Sequence, residues 1–591
     1  MARKATGKVM EDKVWVPQKN GTWYCFLRRR VWEDGKVKIL SRKLLGKADE
    51  RGGELRPTRP KRKRQAAGSN TEPEGWAAGS EPQGRVVEAT RSHTGLTDIL
   101  EFIGAHSGID KDVRAALADD ALADKVISLA RYAVATDGGT WPGIEPWMLT
   151  HPVPYEHPIT EDVYLELFRE IGLDESAVEG FFALRIAREP DLVLLVAYDS
   201  STETSETRNP EARVGMNKDR RGKPAVKLLV LYSLTSRRPL AYAKRPGNVP
   251  DVLSVGNAMK QLQALTDKRI ALVTDGGFSS EENFGTILHA HGQVLSRARL
   301  SWRWVREQAD RCLDRLTSAA SMLPGDLGVH GVTATITREF PHTRTYGSKK
   351  KGLKAGDTDR FRRRVHLHIY FDSERREQED REFMANLFEV KGLVEEGAPL
   401  DEAAQRLADS CLVVRKKRGG KVSVTLDEDA IAKACRYHGM YALVSSHVAD
   451  AGEALSIYRE REWIEDYFER FKQDCDGKAT RTGSAENLSG RLFVQFVAMC
   501  YLEELHNRVR DMKAALGREN GDPAHDLKEN LDEERKLRTW LGKRSLHNIL
   551  RWFDAHETFE VSSDIRRRKW NTETTRRDRM FLEKLGMKVA V

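Results

Sequence analysis

The sequence predicts an α/β protein: a mixed sheet flanked by helices, interrupted by a mainly β insertion subdomain. Three observations predict it. Between residues 191 and 300, buried apolar runs alternate with helix-length amphipathic stretches. Two of those runs, LVLLVAYDSS and RIALVTDGGF, each end at an aspartate, Asp199 and Asp275. Residues 301–455 then break the alternation with strand-like GVTATITREF, RRRVHLHIYF and YHGMYALVSS. In open α/β sheets, strand ends are where sites are built, so both aspartates are candidate site residues.

The bulk numbers set outer limits. With 591 residues the chain is long for one core and should form several domains. Charged residues make up 32% and the net charge is +9, which suits a polyanionic partner without requiring one. Six cysteines lie scattered with no CxxC pair, which argues against a zinc module and a disulfide framework and fits a reducing cytoplasm. No signal-peptide pattern opens the sequence. The most apolar run, LFVQFVAMCYL, is too short for a bilayer and reads as a buried helix.

Residues 1–47 read as a small β-meander, turned at Asn20-Gly21 and Asp34-Gly35. Residues 48–86 lack periodicity, are rich in Gly, Pro and Ser, and are expected to be a disordered linker. Their KRKR cluster, Lys61–Arg64, is either a phosphate contact or a solubilising tail. Residues 87–188 are helical in pattern. One helix pair there has the length of a helix-turn-helix, but Glu161, Asp162, Glu166, Glu170, Asp174, Glu175 and Glu179 make its outer face acidic. An acidic face repels phosphate, so packing, self-association or end binding elsewhere in the region is expected.

Residues 189–300 should give three antiparallel strands, a helix from about Asp251 capped by Asp251, a strand, a short helix near Glu281–His289 and a last strand. Within the 301–455 insertion, SKKKGLKAGDTDRFRRR is expected to be exposed and turn-rich. Lys349, Lys350, Lys351, Arg362, Arg363 and Arg364 of this run are candidate DNA-backbone contacts. His366 and His368 alternate on a strand and read as strand-face residues. Residues 456–510 return to the core, and 511–591 look helical with a basic tail that could serve DNA contact or dimerisation. There is no phosphate-binding loop, GxGxxG or GxSxG pattern.

The stretch YREREWIEDYFERFK, Tyr458–Lys472, reads as one helix. On a wheel of about 100° per residue, Ile464, Phe468 and Phe471 join Ile457 in a core stripe. Tyr458, Arg461, Glu465 and Lys472 form a polar strip along one edge, with Glu465 half-buried; Glu460 borders the other edge. Glu462, Asp466 and Glu469 point toward solvent. The wheel leaves Glu460 and Glu465 both open as chemically active acids.

The spacing Tyr-x2-Arg-x3-Glu-x6-Lys matches the Tyr-Arg-Glu-Lys signature of DDE transposases in the bacterial insertion-sequence-four superfamily. LVAYDSSTETSE, RPLAYAKRPGNVPD, LVTDGGFSSEEN and YHGMYALVSS resemble the same family, over roughly residues 190–510. The resemblance implies an RNase H-like catalytic core with a long insertion before the signature helix. It also implies a catalytic, metal-binding triad of Asp199, Asp275 and Glu465 that holds two Mg²⁺ ions, with Mn²⁺ as a substitute. Three hard carboxylates suit that role. Tyr458, Arg461 and Lys472 would then contact DNA phosphates near the cut end.

Relatives form a hairpin at the transposon end and stack a flipped base on an aromatic side chain. Tyr441 is the matching candidate, with core packing as its competing reading; Trp302 and Trp304 are rivals. The implied partners are double-stranded DNA, as transposon ends and target, and a second copy of the chain in a synaptic complex. The implied location is a prokaryotic nucleoid. A catalytically idle, transposase-derived repressor or scaffold is the alternative from another class, and a non-mobile nuclease on the same fold is a third.

Overall fold

The computed structural model describes residues 10–17, 22–33, 36–56, 86–117, 119–215, 222–344, 354–416, 422–519, 527–563 and 567–588. They fall into two units, Met1–Gln83 and Gly84–Val591. In the first, β1 (Met10–Pro17), β2 (Trp23–Glu33) and β3 (Lys36–Ala48) form an antiparallel meander in that order. Aromatic and β-branched residues, as in VWV and WYCFL, suit these strands. Asn20-Gly21, Asp34-Gly35, Lys61–Arg64 and residues 57–85 of the expected linker lie outside the described residues.

The second unit opens with β4 (Val86–His93) and a run of helices to Ala187. Then come β5 (Val193–Ser205), the two-residue β6 (Arg213–Val214), β7 (Pro224–Ser233), β8 (Arg238–Pro246), β9 (Arg269–Thr274) and β10 (Gln293–Ala298). β5, β7 and β8 pair antiparallel, while β5, β9 and β10 pair parallel. The spatial order β8-β7-β5-β9-β10 is the RNase H-like arrangement. β7 is buried at nearly every position, as its apolar sequence AVKLLVLYS requires of a strand covered on both faces.

Residues 301–455 depart from the expected separate β subdomain. Their long strands β12 (Asp326–Thr343), β13 (Thr358–Asp372) and β16 (Met440–Ser445), with the short β11 (Met322–Leu323), continue the core sheet in the order β11-β12-β13-β16-β10. β13 pairs with β16 and β16 with β10, and the buried apolar residues of β13 and β16 belong to the main core rather than to a core of their own. Helices occupy much of the remainder, among them Ser373–Glu396. Among the described residues a small satellite cluster, around Leu387, Val390, Cys411 and Val424, packs apart; it includes residues of β14 (Leu412–Lys416) and β15 (Val422–Leu426).

After β16, the helices Ala451–Arg459 and Glu462–Asp474 lead through β17 (Ala479–Thr480) to a helix of 31 residues, Ala485–Ala515. Every residue from Gly490 to Leu505 is buried there, because the helix is packed against both the sheet and the helices of residues 94–187. Gly172 and Gly490 permit the closest approach: a Cβ at either would lie 1.9 Å from a carbonyl oxygen of the facing helix, Glu486 or Phe168. The helices of residues 94–187 thus share one continuous core with the sheet and do not form an independent domain. The C-terminal region is not wholly helical either. β18 (Glu557–Ser563) and β19 (Arg567–Asn571) form a hairpin, and β18 pairs with β4 across the length of the unit. No helix among the described residues is long and apolar enough to cross a membrane.

Candidate active site

Strand register places the first two acids. Tyr198 pairs with Thr274, and Thr274 with Ser296, in parallel ladders. The next residue on each strand is Asp199, Asp275 and Arg297, so these three stand side by side where the parallel strands run out. Arg297 is a site residue that sequence reasoning missed. Its signal was the matching offset from the ends of LLVAY, ALVT and VLS, concealed because RARL continues as an ordinary basic stretch.

The signature segment brings the third acid, though not as one helix. The chain bends at Glu460–Arg461, where Arg461 N bonds to Tyr458 O (3.2 Å) and Ile464 N to Arg461 O (3.0 Å) in tight i,i+3 turns. Tyr458 closes the first helix and Arg461 caps the second. Ile464, Phe468 and Phe471 are buried as expected, and Tyr467 with them. Arg470 anchors the second helix to the Ala485–Ala515 helix by donating two bonds to Glu503 (2.7 and 3.0 Å), which also accepts from Tyr232 of β7 (2.7 Å).

The bend turns Tyr458 and Arg461 onto the strand ends. Tyr458 Oη donates to Asp275 Oδ1 at 3.0 Å. Arg461 donates to Asp199 Oδ2 at 3.0 Å and to Glu465 Oε1 at 2.6 Å. Glu465 was expected to be half-buried, but its side chain is 55% exposed. It sits one turn past the bend and reaches the cluster through Arg461. Lys472 lies two turns farther along, half-buried. Glu460, the other acid left open by the wheel, lines a separate cavity of about 530 Å³ with Trp463 and Arg459. Asp251 does not cap the helix Val255–Leu265; its carboxylate takes Lys227 Nζ at 2.8 Å, and Ser254 holds the cap position.

The electrostatics are uneven. Burial raises the Asp199 carboxyl to about 6, with Asp275 and Glu465 adding to the rise, against the Ser200 amide and Arg461. Burial also presses on Asp275, but the Gly276 amide, Arg461, the Tyr458 hydroxyl and Arg297 outweigh it and hold that carboxyl below its usual value. Burial, followed by the Asp275 charge, lifts Tyr458 to about 12. Arg461 thus bonds two of the three oxygen-donor acids, Asp199 and Glu465, while Asp275 is held by Tyr458 and by the charges of Arg461 and Arg297. A buried carboxyl with a raised pKa is a group that an added cation would stabilise in its charged form. The donor set fits hard divalent ions.

Tyr441 lies on β16, half-buried, stacked on Tyr370 with ring centroids 4.9 Å apart. The guanidiniums of Arg297 and Arg375 stand 5.9 and 5.6 Å from its ring centre. Arg297 therefore lies between Tyr441 and the Asp275 turn, where a Cβ on Gly276 would meet its Cδ at 3.5 Å. Trp302 and Trp304 are not in this group. Trp304 is nearly buried, donates to Glu281 (2.8 Å) and carries Arg338 over its ring; Trp302 packs on Phe284. Arg362, Arg363 and Arg364 are exposed, on the β13 strand rather than in a turn, and Arg362 pairs with Glu339. Lys349, Lys350 and Lys351 lie outside the described residues. His366 and His368 hydrogen-bond Thr335 and Thr333 across β12.

Asp199, Asp275 and Glu465 do not bring one oxygen each within 4.8 Å of one another; among the described residues two ligand-type groups do come that close, His93, His151 and Asp554, and Asp380, Cys435 and His438. In both, the acid already has partners, His151 (3.0 Å) for Asp554, and Arg376 and His438 (2.7 Å each) for Asp380.

A five-strand RNase H-like order, with acids from two strand ends and a following helix drawn together, defines a protein of the DDE class. Residues 194–502, just over half the chain, match the family described as the transposase DDE domain, and the chain belongs to that family. It is a DDE transposase, of a family that generally works with divalent metal ions. No curated protein matches the chain. Among solved structures it is similar to a piggyBac transposase synaptic complex with hairpin DNA, determined by cryo-EM. That likeness has 10% identity and a TM-score of 0.32, over 78% of this chain and 81% of the other.

Proposed function

We propose that the protein is a cut-and-paste DNA transposase of the insertion-sequence-four type, acting on terminal inverted repeats through hairpin ends. The observation that carries this reading is the convergence of Tyr458 on Asp275 and of Arg461 on Asp199 and Glu465. In this reading Asp199, Asp275 and Glu465 would hold two divalent cations, Mg²⁺ with Mn²⁺ as a substitute, and the chemistry these would supply is activation of water or a 3′-hydroxyl and stabilisation of the leaving oxygen. Arg461 keeps the acids ordered before DNA arrives and then turns to a phosphate of the cut strand. Tyr458 fixes Asp275 and offers its hydroxyl to a neighbouring phosphate, and Lys472 extends the same grip. Tyr441 receives the flipped base, with Arg297 beside it. Two ends are joined to target DNA in one complex, so a dimer or higher assembly forms on duplex DNA.

The test is Glu465→Gln. It is expected to abolish divalent-dependent end cleavage while leaving end binding intact, and full cleavage by that variant overturns the triad.

A further inference from the structure

The N-terminal sheet has two unlike faces. Residues directly opposite across its strands share a face. Gly46 lies opposite Cys25 and Trp15. Residues 49–56, which fold back through the Lys47–Arg56 bridge, cover one end of that face, where Cys25 is 0% exposed and a Cβ on Gly46 would lie 2.7 Å from Arg56 O, while Lys13, Arg29 and Lys43 at its other end are exposed.

The other face groups Asp12 with Arg28 and Arg42, and Tyr24 with Lys47, while Phe26 lies between these rows and Arg30 at the end. None of these residues is buried. Asp12 is the one acid among four cations there, and Arg28 and Arg30 approach it at 2.5 and 3.5 Å. Arg42 lies over the Phe26 ring at 4.0 Å, which confirms the shared face. Two partly exposed aromatic rings and the exposed side chains of Met10, Ile39 and Leu44 thus lie beside a net excess of three positive charges on this face.

We propose that the face of β1–β3 bearing Arg28, Arg30, Arg42 and Lys47 is a docking surface for duplex DNA. Three strands about 4.8 Å apart measure about 10 Å across, which suits a major groove about 12 Å wide. Arg42 and Lys47 on β3 then meet phosphates along one rim, Arg28 and Arg30 on the central strand lie beside them, and Tyr24 and Phe26 face the groove. The inference rests on the transposase reading for its choice of DNA, yet it fails separately.

The experiment uses the full chain with Arg28, Arg42 and Lys47 all changed to Gln, and fluorescence anisotropy on a labelled mixed-sequence duplex. Each phosphate contact contributes about 0.9 to the slope of log affinity against log salt, so the slope is expected to fall by about 2 to 3 and affinity by at least about 10-fold. Arg28→Lys with Arg42→Lys keeps the charge and is expected to bind within about 3-fold of wild type, which separates contact from misfolding. An unchanged slope in the Gln variant overturns the docking surface. So does an equal drop on changing Arg381, Arg406 and Lys433 to Gln, or displacement of the duplex by polyglutamate as readily as by unlabelled DNA.

Cleavage distinguishes the two readings. A wild-type slope in the Gln variant, with normal divalent-dependent cleavage by the wild-type protein, removes the docking surface alone. A lowered slope with no cleavage by the wild-type protein removes the transposase mechanism and leaves the docking surface standing.

Discussion

Arg461 Nη1 donates to Asp199 Oδ2 at 3.0 Å, joining residues 262 positions apart, and Nη2 of the same guanidinium donates to Glu465. Both members of the first pair are mostly buried, with side chains 12% and 19% exposed. Removing Arg461 leaves Asp199 buried beside two other acids, so Arg461→Ala is expected to cost about 3 kcal/mol of folding stability in chelator. Adding Mg²⁺ should restore part of it, because a ligand that binds only the folded state stabilises that state by mass action. Urea unfolding with and without Mg²⁺ reads both effects. A variant as stable as wild type in chelator would remove the bridging role.

The exposed acids on the same helix provide the contrast for Glu465. Glu462 and Glu469 are exposed, and Glu469 accepts from Gln473 on its own helix (2.9 Å). Glu462→Gln and Glu469→Gln are expected to cleave DNA ends within about 2-fold of wild type. Glu465→Gln is expected to lose at least about 10³-fold, the scale on which loss of a group that stabilises transition-state charge is felt. Single-turnover cleavage of a labelled end separates these cases, and comparable losses in all three would mean a general effect of charge on the helix.

Glu203 lies on β5 four residues beyond Asp199, on the same face, and is fully buried. Burial raises its carboxyl from 4.5 to about 7, despite Arg491 3.5 Å away. A folded-state value above the unfolded one means that Glu203 favours folding below about pH 4.5, and that this contribution is lost as pH rises through about 7. The wild-type protein should therefore lose on the order of 2–3 kcal/mol between about pH 5 and about pH 8 through this group. Glu203→Gln should remove that part of the slope, since Arg491 keeps the carbonyls of Asp476 and Ala479 as acceptors. Urea midpoints across this range test it, and an unchanged slope excludes Glu203 as the source.

The core strands were legible because they rest on local signals. Apolar runs ending in Asp199 and Asp275 predicted buried strands of a mixed sheet, and the motif spacing singled out Glu465 over Glu460. What stayed hidden depends on pairing between distant segments. β16 reads as an isolated strand of an insertion until its register with β10 and β13 is seen, and β4 reads as part of a helical region until β18 pairs with it. Arg297 carries no motif, and only the ladder shows it level with the two aspartates. The bend at Glu460–Arg461 was also invisible: a wheel assumes a straight helix, and no proline or glycine marks the break.

Tyr441 and Trp304 separate base stacking from packing. Tyr441 is half-exposed between Tyr370 and two guanidiniums, whereas Trp304 is nearly buried and hydrogen-bonded to Glu281. A stacked base is worth about 1–3 kcal/mol, so Tyr441→Ala should lower hairpin yield by about 10-fold or more while first-strand nicking changes little. Tyr441→Phe keeps the ring and should restore the yield. Trp304→Ala should instead cost about 3 kcal/mol of stability by leaving a cavity, with no selective effect on hairpins. Gel analysis of nicked and hairpin products, beside urea unfolding of each variant, distinguishes the two. Equal loss of nicking and hairpin formation in Tyr441→Ala, with Phe failing to rescue, would make Tyr441 a packing residue like Trp304.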